Sequence, residues 1–121
     1  MMTEEELAAE VRAHLSSRGV ILEIKMFGGL GFMLNGNMVA AVSKRGLLLR
    51  IGKDSQSKAL ARPEARPMEM RGRRIEGYVY VDPRMLGKGA LQNWLDEASS
   101  FVQQLPPKPA GGKLRRKGKR A

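Results

Sequence analysis

The chain has 121 residues, no cysteine, and 22 Lys and Arg against 12 Asp and Glu. That length suits one domain with one core, burying about 65% of the surface its unfolded chain would expose. The absence of thiols excludes a disulfide framework, a thiolate metal site and a cysteine nucleophile, and agrees with a reducing compartment.

The first residues, Met1-Met-Thr-Glu-Glu-Glu6, are acidic where a signal peptide is basic, and no apolar run nears the roughly 18 residues of a membrane span. The expected location is therefore the cytoplasm, with no membrane partner. Thr3 and Glu6 have capping-box spacing, and Leu7, Val11 and Leu15 repeat every four residues, which predicts a helix near residues 4–18 with Gly19 as its left-handed stop. Val20 to Phe27 is rich in β-branched residues and predicts a strand. Gly28-Gly29 then permits a bulge or tight bend before a second strand at Leu30–Leu34. Asn35-Gly36 is a strong signal for a type I′ hairpin turn, leading to a third strand at Met38–Val42.

Lys44-Arg45-Gly46 makes a second turn, and Leu47–Ile51 a fourth strand. Asp54 is positioned to cap a short helix over Ser55–Ala61, stopped at Arg62-Pro63, with residues 63–67 expected as a loop. Met68–Met70, a turn at Arg71-Gly72-Arg73, and Ile75–Val81 predict another hairpin, ended by Asp82-Pro83. Leu91, Trp94, Leu95, Ala98, Phe101, Val102 and Leu105 then recur at three- and four-residue spacing, the clearest amphipathic helix in the chain. Pro106-Pro107 ends it. From Lys108 on, Leu114 is the sole large apolar residue among Pro, Gly, Ala and cations, so the organisation expected is one domain over residues 1–106 and a disordered basic tail over 107–121.

Charge divides along the same boundary. Residues 1–106 carry 15 Lys and Arg against all 12 acids, whereas residues 107–121 carry 7 cations and no acid. Within the body, residues 44–74 gather Lys44, Arg45, Arg50, Lys53, Lys58, Arg62, Arg66, Arg71, Arg73 and Arg74 against Asp54, Glu64 and Glu69. This segment is either a solvated surface or a face for a phosphate backbone or an acidic partner. In the tail, Lys113, Arg115, Arg116, Lys117, Lys119 and Arg120 could add non-specific nucleic-acid affinity; with all seven tail cations engaged the log–log salt slope on duplex DNA would be about −6.

Chemistry-bearing motifs are sparse. Gly28-Gly-Leu-Gly31 lacks the Gly-Lys-Ser/Thr ending of a P-loop and the spacing of a dinucleotide fingerprint, so a bulged strand junction is the preferred reading. Gly29-Leu-Gly-Phe-Met33 only echoes the RNA-recognition signature, and Phe32 is assigned to the core. His14, the sole histidine, has no companion ligands beyond carboxylates and is read as a partly buried helix residue. Ser16, Ser17 and Ser43 lack nucleophile-elbow context. No enzymatic activity and no cofactor are expected. Met26, Met33, Met38, Met68, Met70 and Met85 are numerous; gap-filling in the core is their default role, reversed if several group on an exposed sheet face.

Taken together, Lys25-Met-Phe-Gly-Gly-Leu-Gly31, Gly36-Asn-Met-Val-Ala40, Leu47-Leu-Leu-Arg50, Tyr78-Val-Tyr-Val81 and the Leu91/Trp94/Ala98 helix give a chain that resembles the N-terminal domain of the TfoX/Sxy family of bacterial competence regulators over roughly residues 5–105. The resemblance implies an α+β fold: a two-layer sandwich of order α-β(3–4)-α-β(2)-α, similar to secretion chaperones, with helices on one face of an antiparallel sheet. It also implies a non-enzymatic regulatory or protein-interaction role. Full-length members carry a second, helical C-terminal domain and act with the cyclic-AMP receptor protein on competence promoters. A stand-alone N-terminal domain with a basic tail is expected here instead, its partner a protein, the transcription machinery or a second copy of the chain. The alternative is a nucleic-acid-binding protein that uses residues 44–74 and the tail on DNA or RNA.

Overall fold

The computed structural model describes residues 3–26 and 28–108 and shows an α+β architecture in two layers, three helices against one face of a six-stranded antiparallel open sheet. Helix α1 (Glu4–Leu15) opens on the capping box: Thr3 Oγ1 accepts from the Glu6 amide at 3.0 Å, and Glu6 Oε1 accepts from the Thr3 amide at 2.9 Å. Its buried stripe is Leu7, Ala8, Val11 and Leu15. The helix stops three residues short of the expected Arg18, because the Ser16 and Ser17 hydroxyls turn back onto the carbonyls of Ala13 and His14. Gly19 is not a left-handed cap; at φ 159° its backbone is nearly extended, and what it supplies is space, since a Cβ there would lie 2.5 Å from Asn35 Oδ1.

A meander follows: β1 (Ile21–Met26), β2 (Gly29–Leu34), β3 (Asn37–Ser43) and β4 (Gly46–Arg50). Met26 pairs with Gly29, so the chain reverses tightly between the two strands, with Gly28 at φ 73°. The bulge lies farther on, between Phe32 and Met33, where β3 inserts Val39. Asn35 (φ 54°) and Gly36 (φ 85°) both adopt positive φ, as a type I′ turn requires.

Helix α2 (Lys53–Leu60) starts at Gly52, at φ 87°, rather than at Asp54, which sits inside the first turn and supports it through the helix dipole. The segment expected as a loop is in part a strand: β5 (Ala65–Met70) pairs with β6 (Arg73–Val81) and forms the sheet edge, in the order β1-β2-β3-β4-β6-β5. The Asp82 amide donates to Glu64 O at 2.9 Å, and alternation from that bond points the ring nitrogen of Pro67 away from β6, where its missing N–H costs no ladder bond. A 3₁₀ turn (Pro83–Met85) leads to α3 (Lys88–Gln103).

Register assigns the two sheet faces. Phe32, Ala40, Leu49 and Val79 form one continuous cross-strand row, with Leu47 and Val81 in the next, and all of them are buried beneath the helices. Against them pack Leu7, Val11 and Leu15 of α1, Ala59 of α2, and Leu91, Trp94, Leu95, Ala98 and Val102 of α3. Polar bonds fix the helices in place. His14 Nε2 is 2.7 Å from Asp96 Oδ1, to which Arg18 also donates, joining α1 to α3. Arg62 grips Glu97 with both terminal nitrogens and lies 4.2 Å from the Trp94 ring centroid.

Candidate interaction surface on the open face of the sheet

Strand alternation sends every second side chain to the face that no helix covers. On β1 these are Leu22, Ile24 and Met26; on β2 and β3, Met33, Met38 and Ala41; on β4, Leu48; on β6, Tyr80. The methionines therefore do not fill the core. None of Met26, Met33, Met38, Met68 or Met70 is buried, and Met85 is exposed on the 3₁₀ turn. A polarisable, unbranched side chain adapts to whatever covers it, so a set of them on an uncovered sheet face suits a contact surface rather than a packed interior.

The face is concave. Beyond Pro67 the pairing of β5 with β6 shifts register, and Gly77 adopts φ 87° opposite that shift. Three bonds hold the distortion: Gly77 N donates to Gln56 Oε1 at 2.9 Å, and Gly77 O accepts from both Ile51 N and Gly52 N. The distal hairpin thereby contributes Met68, Met70 and Arg71 to the same groove as Met26 and Arg45, over a floor of Ala41, Leu48 and Tyr80, enclosing about 370 Å³. Arg66 stacks over Tyr80 at 5.1 Å and donates to the Arg45 carbonyl, which closes one end. Among the described residues, Glu69 is the single acid on the groove wall.

The cations singled out from the sequence are not brought to one face. Arg45 and Arg71 line the groove, and Lys44 and Arg45 also border a neighbouring hollow with Arg66, Arg84 and Asp82. There the Arg84 side chain and amide hold the Asp82 carboxyl below the usual carboxylate range, with Arg66 adding to the effect. Arg73 and Arg74 are exposed at the base of the β5–β6 turn. Arg50 lies 5.7 Å from the Tyr78 ring centroid and 6.0 Å from that of Phe101. Lys53 and Lys58 belong to α2, in the helical layer, and Arg62 is engaged by Glu97 and Trp94. Lys113, Arg115, Arg116, Lys117, Lys119 and Arg120 lie outside the described residues.

Tyr80, Leu48 and Ala41 were not anticipated as the floor of a groove. The signal was the parity of each strand: once Phe32, Leu49 and Val79 are taken as core, their neighbours must face the other way. Among the described residues no three His, Cys, Asp or Glu side chains gather as a metal site, and no helix is long and apolar enough to cross a membrane.

No curated protein matches the chain. A family pattern does, over residues 13–102, which takes in everything from the last turn of α1 to the last turn of α3. The order of elements, the glycine-rich β1–β2 bend and the helix-covered sheet agree with that match, and the chain belongs to the TfoX N-terminal domain family.

Proposed function

We propose that this is a non-enzymatic protein-interaction domain of regulatory type, whose open sheet face receives an apolar segment bearing acidic residues. The observation that carries the reading is the placement of five methionines on the uncovered face, with Arg45 and Arg71 lining the groove that Met26, Met68 and Met70 help to form. Apolar contact would supply the affinity, and the arginines would select for acid. The family's link to competence supports a partner in the transcription machinery and action in the cytoplasm. On this reading residues 107–121 are an appendage to the domain.

A second reading rests on the same face. Tyr78 and Tyr80 share it with Arg66 and Arg50, and the exposed cations Arg71, Arg73 and Arg74 stand near, an arrangement suited to single-stranded nucleic acid. One experiment separates the two. Protein with ¹³C-methyl methionine is titrated with a twelve-residue peptide of alternating Leu and Glu, and separately with a single-stranded oligonucleotide at two salt concentrations. The protein-interaction reading expects the Met26, Met68 and Met70 methyls to shift with the peptide. A shift with oligonucleotide alone, weakened by salt, would replace it with the second reading, and silence from all three methyls in both arms would refute both.

A further inference from the structure

The two edges of the sheet are built differently. On one side β5 carries Pro67, a register break and the stacked Arg66, devices that obstruct pairing with another chain. On the other side β1 has neither a proline nor a register break over its six residues, and among the described residues no strand pairs with its outer edge. The Asn35 amide donates to Val20 O at 2.8 Å, which sets the phase of the β1–β2 ladder. In that phase Leu22, Ile24 and Met26 give their backbone groups to β2, and Ile21, Glu23 and Lys25 point theirs outward.

We propose that β1 pairs antiparallel with β1 of a second copy of this chain, making a continuous twelve-stranded sheet, in the register that sets Glu23 opposite Lys25 of the second copy and Lys25 opposite its Glu23. Charge selects this register. Moving the pairing one step either way that keeps the outward groups matched puts Glu23 opposite Glu23, or Lys25 opposite Lys25. In the chosen register both ion pairs form on the helical face, where Arg12 already holds Glu23 from α1 and keeps its carboxyl ionised below the usual carboxylate range. On the open face Ile24 meets Ile24 and Leu22 meets Met26, covering Leu22, which is 38% exposed in the single chain. The inference rests on the outer edge of β1 and not on what the groove binds, although Met26 borders both.

The test is the oligomeric state of the full chain by sedimentation equilibrium over a range of concentrations. The wild type is expected to double in mass with concentration. Lys25→Glu places acids opposite acids and should weaken the dimer about tenfold or more, and Glu23→Lys should do the same with cations. An equimolar mixture of the two variants restores both complementary pairs and should form a heterodimer. Because Glu23→Lys also removes the partner of Arg12, its thermal melt is recorded; if it unfolds, Lys25→Glu carries the test alone. A wild-type chain that stays monomeric throughout, or a dimer indifferent to Lys25→Glu, overturns the proposal.

Discussion

Three glycines of the β1–β2 segment occupy neighbouring positions for three different reasons, and replacing each by alanine should separate them. Beyond its chain neighbours, Gly28 has no atom of the described residues within 4 Å of an added Cβ, so Gly28→Ala meets the penalty of φ 73° for a residue with a side chain. That penalty is about 1–2 kcal/mol. Gly29 does not need positive φ, but its Cβ would lie 2.1 Å from Val42 O and 2.8 Å from Ser43 Cβ. A carbonyl of the adjoining strand cannot turn aside without opening the β2–β3 ladder, so Gly29→Ala should cost about 3 kcal/mol or more through overpacking. At Gly31 the Cβ would lie 2.2 Å from Met26 Sδ. That sulfur ends a side chain with three rotatable bonds and a half-exposed position, so Gly31→Ala should cost about 1 kcal/mol or less, with Met26 swinging aside.

The assay is thermal and urea unfolding of the three variants, followed by circular dichroism. At about 4–8 °C per kcal/mol for a domain near this size, the melting temperature should fall most for Gly29→Ala, moderately for Gly28→Ala and least for Gly31→Ala. The Met26 methyl resonance should move strongly in Gly31→Ala and little in Gly28→Ala. If Gly31→Ala were as damaging as Gly29→Ala, Met26 would be locked in place, and the groove wall would not be adaptable.

Gln56→Ala should remove the partner of the buried Gly77 amide and destabilise the domain by about 1–3 kcal/mol, read from the urea midpoint, with loosening of the β5–β6 hairpin visible as faster amide exchange. The Asp96 carboxyl is held below the usual carboxylate range first by His14 and then by Arg18. A carboxyl depressed in the folded state contributes stability that is present above its unfolded value of about 3.9 and is lost as pH falls through the lower folded value. Asp96→Asn should therefore flatten the acid limb of the stability profile, measured as the urea midpoint from about pH 6 downward; an unchanged acid limb would remove Asp96 from the account.

Most of the fold was legible because local signals and the period of burial agreed. Thr3 and Glu6 set the start of α1, Asn35-Gly36 set the β2–β3 turn, and the Leu91-to-Leu105 stripe placed α3. What was missed depended on contacts distant in sequence. Pro67 suggested a loop, because proline breaks ladders; its place at a sheet edge, fixed by pairing with Val79, is what makes it tolerable. Gly19 suggested a cap, but it is small because Asn35, sixteen residues on, approaches it. The methionines suggested core filler because composition alone gives a residue no side of the sheet. Only the register of six strands shows that Met26, Met33 and Met38 share the uncovered one.

The basic charge is the feature whose meaning changes most between sequence and structure. Ten cations in residues 44–74 invite a phosphate-binding face, yet Arg62 is held by Glu97 and Trp94, Arg66 by Tyr80 and the Arg45 carbonyl, and Arg50 by aromatic rings. An arginine so engaged keeps its charge but loses the freedom to track a nucleic-acid backbone. Lys53 and Lys58 are further removed, because α2 lies in the helical layer. Of the five exposed cations left, Lys44, Arg73 and Arg74 do not line the groove, whereas Arg45 and Arg71 stand beside its apolar floor, and two cations flanking methionines select an acid on an apolar segment more naturally than they neutralise a run of phosphates. Such a surface reads charge at a few positions and shape everywhere else. That is the division of labour expected of a protein interface, in which apolar contact at the centre supplies affinity and charge at the rim sets specificity.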